Sequence, residues 1–373
     1  MISISRKIAL PDKQTRAYEL LELAAIFGEF PITSLWRLSG SVSYKETVVT
    51  ALKKQGLIKT HYKDGRRGLR PTTTAKKLLV ADNPERFSAY MSENSDTNHI
   101  RSEPHRRERL YRIAEATLTM KNAGASVYRD EHPSIFSTTW EETDHIQAPL
   151  FYSSREIRDT GVEFFKTKGA RYVGVLLTSE NAFVTYNLGN GLIKWAYKAE
   201  MRTKAVLERM LCIERLPTQY FPESIKGLVL GNSMELAFEI LNKSREHYLI
   251  LDDNYENFYF VTNDEKGEML VRLLCRPDLC DELDEILIED LSPTRKGALV
   301  EHDAMTEDGR YVLLAYKCDL KRIRKFDTAL ALQEKKGIII CFDYQADVLR
   351  RYCCDAVEFH TLDFKKTERR LFP

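Results

Sequence analysis

Between Ser43 and Lys77 the chain places ten lysines and arginines against two acids, Glu46 and Asp64. Cations gathered in so short a run suit phosphate oxygens, because each neutralises an anion and releases its condensed counterions. Asp64-Gly65 favours the tight turn of a two-residue hairpin. Lys59 and Lys63 precede that turn and Arg66, Arg67 and Arg70 follow it, so these five are expected to hold phosphates. Upstream, Lys45, Thr47 and Thr50 are read as the outward positions of one helix, from which they would reach base edges. The same surface is open to a second use, docking of a protein, although a protein-docking hairpin has no need of such a basic tip.

The elements that must position these groups are legible from residue 14 to residue 80. Gln14 to Phe27 reads as a helix, with Ala17, Leu20, Leu21, Ala24 and Ala25 as its buried stripe. Gly28 ends it, and Pro31 opens a short second helix carrying Leu35, Trp36 and Leu38. Ser43-Tyr44-Lys45-Glu46 has the pattern of a capping box, so a third helix is expected from Ser43 through Val48, Val49 and Leu52 to Gly56. Leu57 to Tyr62 alternates as a strand, Leu69 to Thr73 returns as its partner, and Thr74 to Leu79 starts a closing helix. This run resembles winged helix-turn-helix domains through its Leu52-x4-Leu57-Ile58 junction, its glycine-containing basic tip and its Thr74-x4-Leu79 restart. The resemblance implies that the third helix enters the major groove of DNA while the wing holds guanidinium groups near phosphates.

The charge is divided along the chain. Residues 1–80 hold 15 lysines and arginines and 6 acids, whereas residues 81–373 hold 41 and 49. A basic front on an acidic body suggests that one end meets a polyanion. At 373 residues, with about 150 residues per domain, the chain has room for two or three domains. They are read as a DNA-binding domain over 1–82, a linker and basic helix over 83–125, an α/β unit over 126–290 and a second α/β unit over 291–373. No apolar run approaches the roughly 18 residues of a membrane span, and no signal-peptide block opens the chain. The seven cysteines form no Cys-x-x-Cys pair, so a reducing cytoplasmic setting without membrane contact is expected. Ser92 to Asn98 reads as a mobile connection. His99 to Arg112 is rich in arginine and either extends the DNA footprint or is a solvated face. His99 and His105 lack metal-ligand spacing, and no metal or other cofactor is expected.

Beyond residue 125 strands and helices alternate. Tyr172–Leu177 and Ala182–Tyr186 form a hairpin, Trp195 to Tyr197 adds a possible third strand, and a helix covers Thr203 to Cys212. Gly227–Gly231 is a buried strand, Ser233 caps the helix Met234–Leu241, and Tyr248–Leu251 and Phe258–Val261 are further strands. Near the C-terminus Leu299–Ala304 and Tyr311–Tyr316 pair around Asp308-Gly309, followed by a helix at Leu320–Leu332, a strand at Gly337–Phe342 and a helix at Gln345–Tyr352. The order hairpin, helix, strand, helix thus occurs twice, a repeat of topology.

That order resembles the core of the restriction-endonuclease-like fold. The resemblance implies an acid on one hairpin strand and an acid-x-Lys triplet on the next, holding a divalent metal and orienting water. Asp303 and Lys317 fall at two of these positions, but Ala315 stands where the second acid belongs. Glu200-Met201-Arg202 imitates the triplet without an acid at its hairpin start. An inactive copy of the fold, used for binding or assembly, is therefore expected, with no catalytic residue. No His-x-His pair, His-x-x-Arg, P-loop or Gly-x-Gly-x-x-Gly is present; Asn187 to Gly191 reads as a hairpin turn. Cys353-Cys354 reads as a buried pair, and Trp195 and Tyr197 as core.

A basic winged helix ahead of a degenerate nuclease-like body resembles the replication-relaxation family encoded by plasmids and integrative conjugative elements. Asp303-Ala304 stands as a remnant of that family's acid-bearing strand, while Tyr316-Lys317 departs from its second. The resemblance implies a double-stranded-DNA-binding accessory protein of a mobile element, working in plasmid replication or conjugation beside a relaxase or replication initiator, and open to homodimer formation on a palindromic site. Two alternatives stay open. One is a transcriptional regulator with a ligand pocket near Gly227–Gly231; the other is a Mg²⁺-dependent nickase using Asp303 and Lys317.

Overall fold

The computed structural model describes residues 8–91, 103–138, 140, 145–160, 169–242, 248–294 and 299–373. The expected connection at Ser92–Asn98, and His99, lie outside these. Helix α1 (Arg16–Phe27) starts where the Thr15 hydroxyl accepts from the Tyr18 amide, and it stops at Gly28, whose φ of 77° favours glycine. Its Leu20, Leu21, Ala24 and Ala25 are buried, as their spacing requires. Strand β1 (Phe30–Pro31) leads into a 3-10 helix at Ile32–Arg37 and then α2 (Val42–Lys54). The cap of α2 is Ser41 and not Ser43: the Ser41 Oγ accepts from the Tyr44 amide at 3.3 Å. Both serines are followed within a turn by polar residues, and only the earlier one has the extended backbone of a cap.

β2 (Ile58–Lys63) and β3 (Arg66–Pro71) form the expected antiparallel hairpin, and β1 adds to β3, giving the order β1-β3-β2. Asp64 and Gly65 turn it with φ of 52° and 73°, the left-handed pair that a two-residue hairpin loop requires. The Thr72 hydroxyl caps α3 (Thr73–Asp82). α4 (Pro84–Met91) and α5 (Pro104–Asn122) follow. Arg86 on α4 fastens that helix to α1 through Glu22 at 2.6 Å and also reaches Asp130 at 2.6 Å.

The remaining strands build two mixed five-stranded sheets. The first contains β4 (Leu150–Ser153), then after α6 (Ser154–Thr160) the hairpin β5 (Gly174–Leu177) and β6 (Ala182–Asn187). α7 (Tyr197–Arg209) runs into a π turn at Met210–Arg215 and leads to β7 (Ile225–Gly231), α8 (Glu235–Asn242) and β8 (Phe258–Thr262). After α9 (Glu265–Leu274) and α10 (Pro277–Ile288) come β9 (Ser292–Pro293), β10 (Ala304–Met305), β11 (Tyr311–Leu314), α11 (Leu320–Gln333), β12 (Gly337–Phe342), α12 (Asp343–Tyr352), β13 (Val357–Leu362) and α13 (Phe364–Leu371).

Both sheets keep their strands in chain order, β4 to β8 and β9 to β13. In each, an antiparallel pair (β5 with β6, β10 with β11) is followed by two parallel additions, each reached through a helix. The topological repeat is therefore present, and each copy is longer than the expected order by a first and a last strand. Within this region α8 meets α12, its counterpart in the other copy, where Arg351 lies 2.5 Å from Glu235 and over the Phe238 ring.

Three expectations are corrected. Trp195–Tyr197 is no strand: Tyr197 opens α7, and only Lys194 bridges to Tyr248. Tyr248–Leu251 has no more than that bridge. The pairing expected at Leu299–Ala304 is confined to Ala304 and Met305.

By its internal contacts the chain divides into two compact units. One is Met1–Leu118 with Val127–Glu141 and Tyr152–Glu163; the other is Thr119–Ser126, Glu142–Phe151 and Phe164–Pro373. Among the described residues no helix is long and apolar enough to cross a membrane.

Candidate nucleic-acid interface

In the hairpin Lys59 lies opposite Arg70, Tyr62 opposite Arg67 and Lys63 opposite Arg66. Side chains alternate between faces along a strand, so Tyr62 and Arg67 share one face while Lys59, Lys63, Arg66 and Arg70 share the opposite one. Lys59, Tyr62, Lys63 and Arg67 are exposed. Arg66 is half-buried, 3.6 Å from Glu108.

Arg70 departs from its expected role. Its Nε donates to Glu29 at 2.8 Å, and the Glu29 carboxylate is wholly buried. The same carboxylate accepts from Arg107 at 2.5 Å and from the Tyr111 hydroxyl at 2.6 Å. Burial pushes the Glu29 carboxyl up, but the bonds from Arg107, Tyr111 and Arg70 outweigh it and hold the group below its ordinary range. Arg107 has further donors, which reach the carbonyls of Lys63 at 2.7 Å and Arg66 at 3.0 Å. A fully buried guanidinium on α5 thus grips both residues flanking the turn. Gly68 makes the approach feasible, since a Cβ there would run into the Glu29 carboxylate. The basic start of α5 is accordingly a support for the hairpin at Arg107 and no part of an open footprint there.

Lys45 is also corrected. It is 6% exposed, and its Nζ donates to the carbonyls of Trp36 at 2.9 Å and Leu38 at 3.0 Å. Its stem lies on the stripe of Val48, Val49 and Leu52, the inward face of α2. Thr47 and Thr50 are exposed as expected, together with Tyr44, Glu46, Lys53 and Lys54, which were not singled out. The lysine pair closing α2 adds positive charge at the helix end where the backbone dipole favours it. Among the described residues no acid is paired with Lys53, Lys54, Lys59, Lys63 or Arg67. Between the 3-10 helix, α2 and the hairpin lies a groove of about 390 Å³, bounded by Leu35, Trp36, Val42, Glu46, Thr50 and Arg67.

The body's candidates are held apart by their partners. Asp303 accepts from the Leu314 amide at 2.7 Å and from Arg322 at 2.8 Å. Lys317 instead donates to Asp284 at 2.9 Å, which also accepts from the Tyr316 hydroxyl. Ala315 is buried and donates its amide to Ile340. Glu200-Met201-Arg202 lies on α7, not on a strand, and Glu200 is buried. No group of three or more His, Cys, Asp or Glu side chains fit to hold a metal occurs among the described residues. Gly227 and Gly231, near which a ligand pocket is expected, are themselves closely packed: a Cβ on Gly227 would stand 2.7 Å from Phe258, and one on Gly231 2.8 Å from Leu236. Trp195 is core, its indole donating to Asp252 at 2.8 Å. Tyr197 is exposed, and Cys353 and Cys354 are half-buried free thiols. Asn187–Gly191 leads toward α7 and does not turn a hairpin.

Comparison with protein-family models, curated proteins and solved structures finds no match for this chain.

Proposed function

We propose that the chain is a non-catalytic double-stranded-DNA-binding protein whose contacts are made by α2 and the β2–β3 hairpin. The observation that carries this reading is the set of five exposed cations, Lys53, Lys54, Lys59, Lys63 and Arg67, none with an acidic partner among the described residues. Unpaired cations on adjoining elements leave their charge available to an anion. The order helix, strand, short helix, helix, hairpin supports reading this region as a winged helix-turn-helix. In that reading Thr47 and Thr50 face base edges, while Lys59, Lys63, Arg66 and Arg67 hold phosphates. The body is read as two non-catalytic copies of one topology serving assembly or recruitment. In favour of this, Asp303 is neutralised by Arg322 and Lys317 by Asp284. A place in the replication or transfer of a mobile element, beside a relaxase or initiator, rests on the family resemblance of the sequence alone.

The test is duplex affinity against salt for the wild type and for Arg66→Glu/Arg67→Glu. Each phosphate contact adds about 0.9 to the slope of log affinity against log salt. The double variant is expected to bind more weakly and to lower that slope by about 2. Absence of duplex binding by the wild type, or an unchanged variant, would overturn the reading.

A further inference from the structure

Phosphate-gripping needs no aromatic surface, yet the groove beside α2 has one. Trp36 is 51% exposed and Val42 65%, both on the groove wall. Arg67 forms its hairpin side, and cross-strand from Arg67 stands Tyr62, 70% exposed. The buried Lys45 ammonium bonds the Trp36 carbonyl and fixes the end of the 3-10 helix against α2, so the backbone bearing the indole is held in place. Glu46 and Thr50 supply a carboxylate and a hydroxyl to the same hollow.

This combination names the chemistry of its occupant. An indole face attracts a flat π-system, a carboxylate accepts from an amino group, and an arginine at the lip attracts a phosphate. A nucleotide carries all three complements, but in an intact duplex the faces of its bases are stacked and only their edges are offered. A base that has left the stack presents its face, and proteins that hold unpaired strands combine aromatic platforms with a cationic track. The exposed Arg67 on the adjoining hairpin supplies the cation beside that platform, while Lys59 and Lys63 stand on the hairpin's other face.

Resting on the DNA-binding reading above, we propose that the groove at Trp36 receives an unstacked base, so that the preferred DNA is a duplex interrupted by unpaired nucleotides, such as a bubble or fork. The hairpin and the end of α2 hold the flanking duplex through its phosphates, and Tyr62 at the tip covers the exposed end of the base stack.

The experiment uses the full chain with a short duplex and the same duplex carrying a central bubble, read by anisotropy and by tryptophan fluorescence. The bubble is expected to bind about tenfold more tightly, in line with the worth of a base–aromatic stack, and to quench a signal that Trp36→Ala removes. Trp36→Ala is expected to erase the bubble preference and to leave duplex affinity and its salt slope unchanged. The exposed indole makes unfolding by this variant an outcome that circular dichroism would detect, and Trp36→Phe, which keeps a smaller ring, then serves instead with a partial preference expected. Equal affinity for both DNAs, or a preference that survives loss of the indole, overturns the proposal while leaving duplex binding intact. Duplex binding with no change at Trp36 on adding the bubble also overturns it and favours a protein in the groove. Binding of neither DNA overturns this proposal together with the function on which it rests.

Discussion

Glu29, beneath the hairpin, and Glu200, on α7, are both wholly removed from water, and the two regions treat the resulting charge in opposite ways. Glu29 is met by two guanidinium groups and a phenol, and its carboxyl is held below the ordinary range despite its burial. Among the described residues Glu200 accepts from the Arg171 amide at 2.7 Å and the Tyr186 hydroxyl at 3.1 Å, with no cationic side chain bonded to it. Its burial dominates those bonds and pushes the carboxyl up to about 7. The first arrangement turns a buried anion into an anchor, because Arg107 can hold the anion and the hairpin's carbonyls with one planar group. The second meets the anion with two neutral donors and the more distant charge of Arg171, too little to offset burial, and Asp252 adds repulsion. A raised carboxyl is often a mark of catalysis, but Glu200 is sealed behind Tyr186 and Tyr255, both fully buried, so here it marks a pH-sensitive core.

The largest effect should come from Arg107→Met. With the guanidinium gone, Glu29 keeps Arg70 and Tyr111 but loses its shortest cation contact, and the Lys63 and Arg66 carbonyls lose their donor. Leaving a buried charge so poorly matched costs about 3–5 kcal/mol, measurable by urea unfolding, with the hairpin amides exchanging faster. A loss below about 1 kcal/mol would mean that the pair behaves like a surface bridge and that the comparison is misdrawn.

The two carboxyls should also give opposite pH slopes. Glu29 has a lowered folded pKa, so its stabilisation is present above the unfolded value near 4.5 and is lost as pH falls through the folded value. Glu200 has a raised one, so the folded state is favoured below 4.5 and loses stability as pH rises from 4.5 to about 7. At 1.36 kcal/mol per unit the second effect is about 3 kcal/mol. Glu200→Gln should therefore match the wild type at pH 4 and exceed its stability by about 2–3 kcal/mol at pH 8. Unfolding curves at the two pH values check this, and a variant equally stable or weaker at pH 8 would refute the assignment.

Which of these features the sequence discloses depends on the range of the interaction that makes them. The hairpin and its Asp64-Gly65 turn follow from local alternation and turn chemistry, and both appear where expected. The repeat of helix and strand in the body is legible for the same reason. Lys45 is misjudged because charge outweighs position in a reading by residue type, while the helix stripe of Val48, Val49 and Leu52 already includes its place. The two-residue strands β9 and β10 carry too little alternation to detect. The Glu29–Arg107 pair spans 78 residues, and no local pattern links them. Arg70, read as a phosphate ligand, is claimed by that same distant anion. The cations that remain exposed are therefore a subset that only the folded chain selects.

Crowding at two glycines sharpens the contrast at a smaller scale. A Cβ on Gly68 meets a carboxylate held by three donors, whereas one on Gly227 meets the Phe258 ring at 2.7 Å. Each alanine substitution should cost about 1–3 kcal/mol by overpacking. They should differ in pH response: Gly68→Ala displaces Glu29 and raises its pKa, so more of its cost appears above pH 5, while Gly227→Ala should cost the same throughout. Thermal unfolding across pH distinguishes them, and parallel curves would show that Glu29 yields without losing its bonds.

The smallest expected difference lies between two hydroxyls. Tyr111 donates to Glu29 at 2.6 Å, and the Tyr255 hydroxyl lies 2.9 Å from that of Tyr186. Because Tyr186 spends its proton on Glu200, it accepts from Tyr255, which makes a neutral bond at the end of a chain of three groups. Tyr255→Phe should cost about 1 kcal/mol, the net worth of a neutral hydrogen bond. It should also move the Glu200 midpoint slightly upward, since Tyr186 becomes a poorer donor when nothing donates to it. Tyr111→Phe removes a bond to an ionised group and should cost about 1.5–3 kcal/mol at neutral pH. Urea unfolding of the two variants at pH 8 measures the gap. Equal losses would mean that the charge on Glu29 adds nothing to its phenol bond, and the anchor beneath the hairpin would then rest on Arg107 and Arg70 alone.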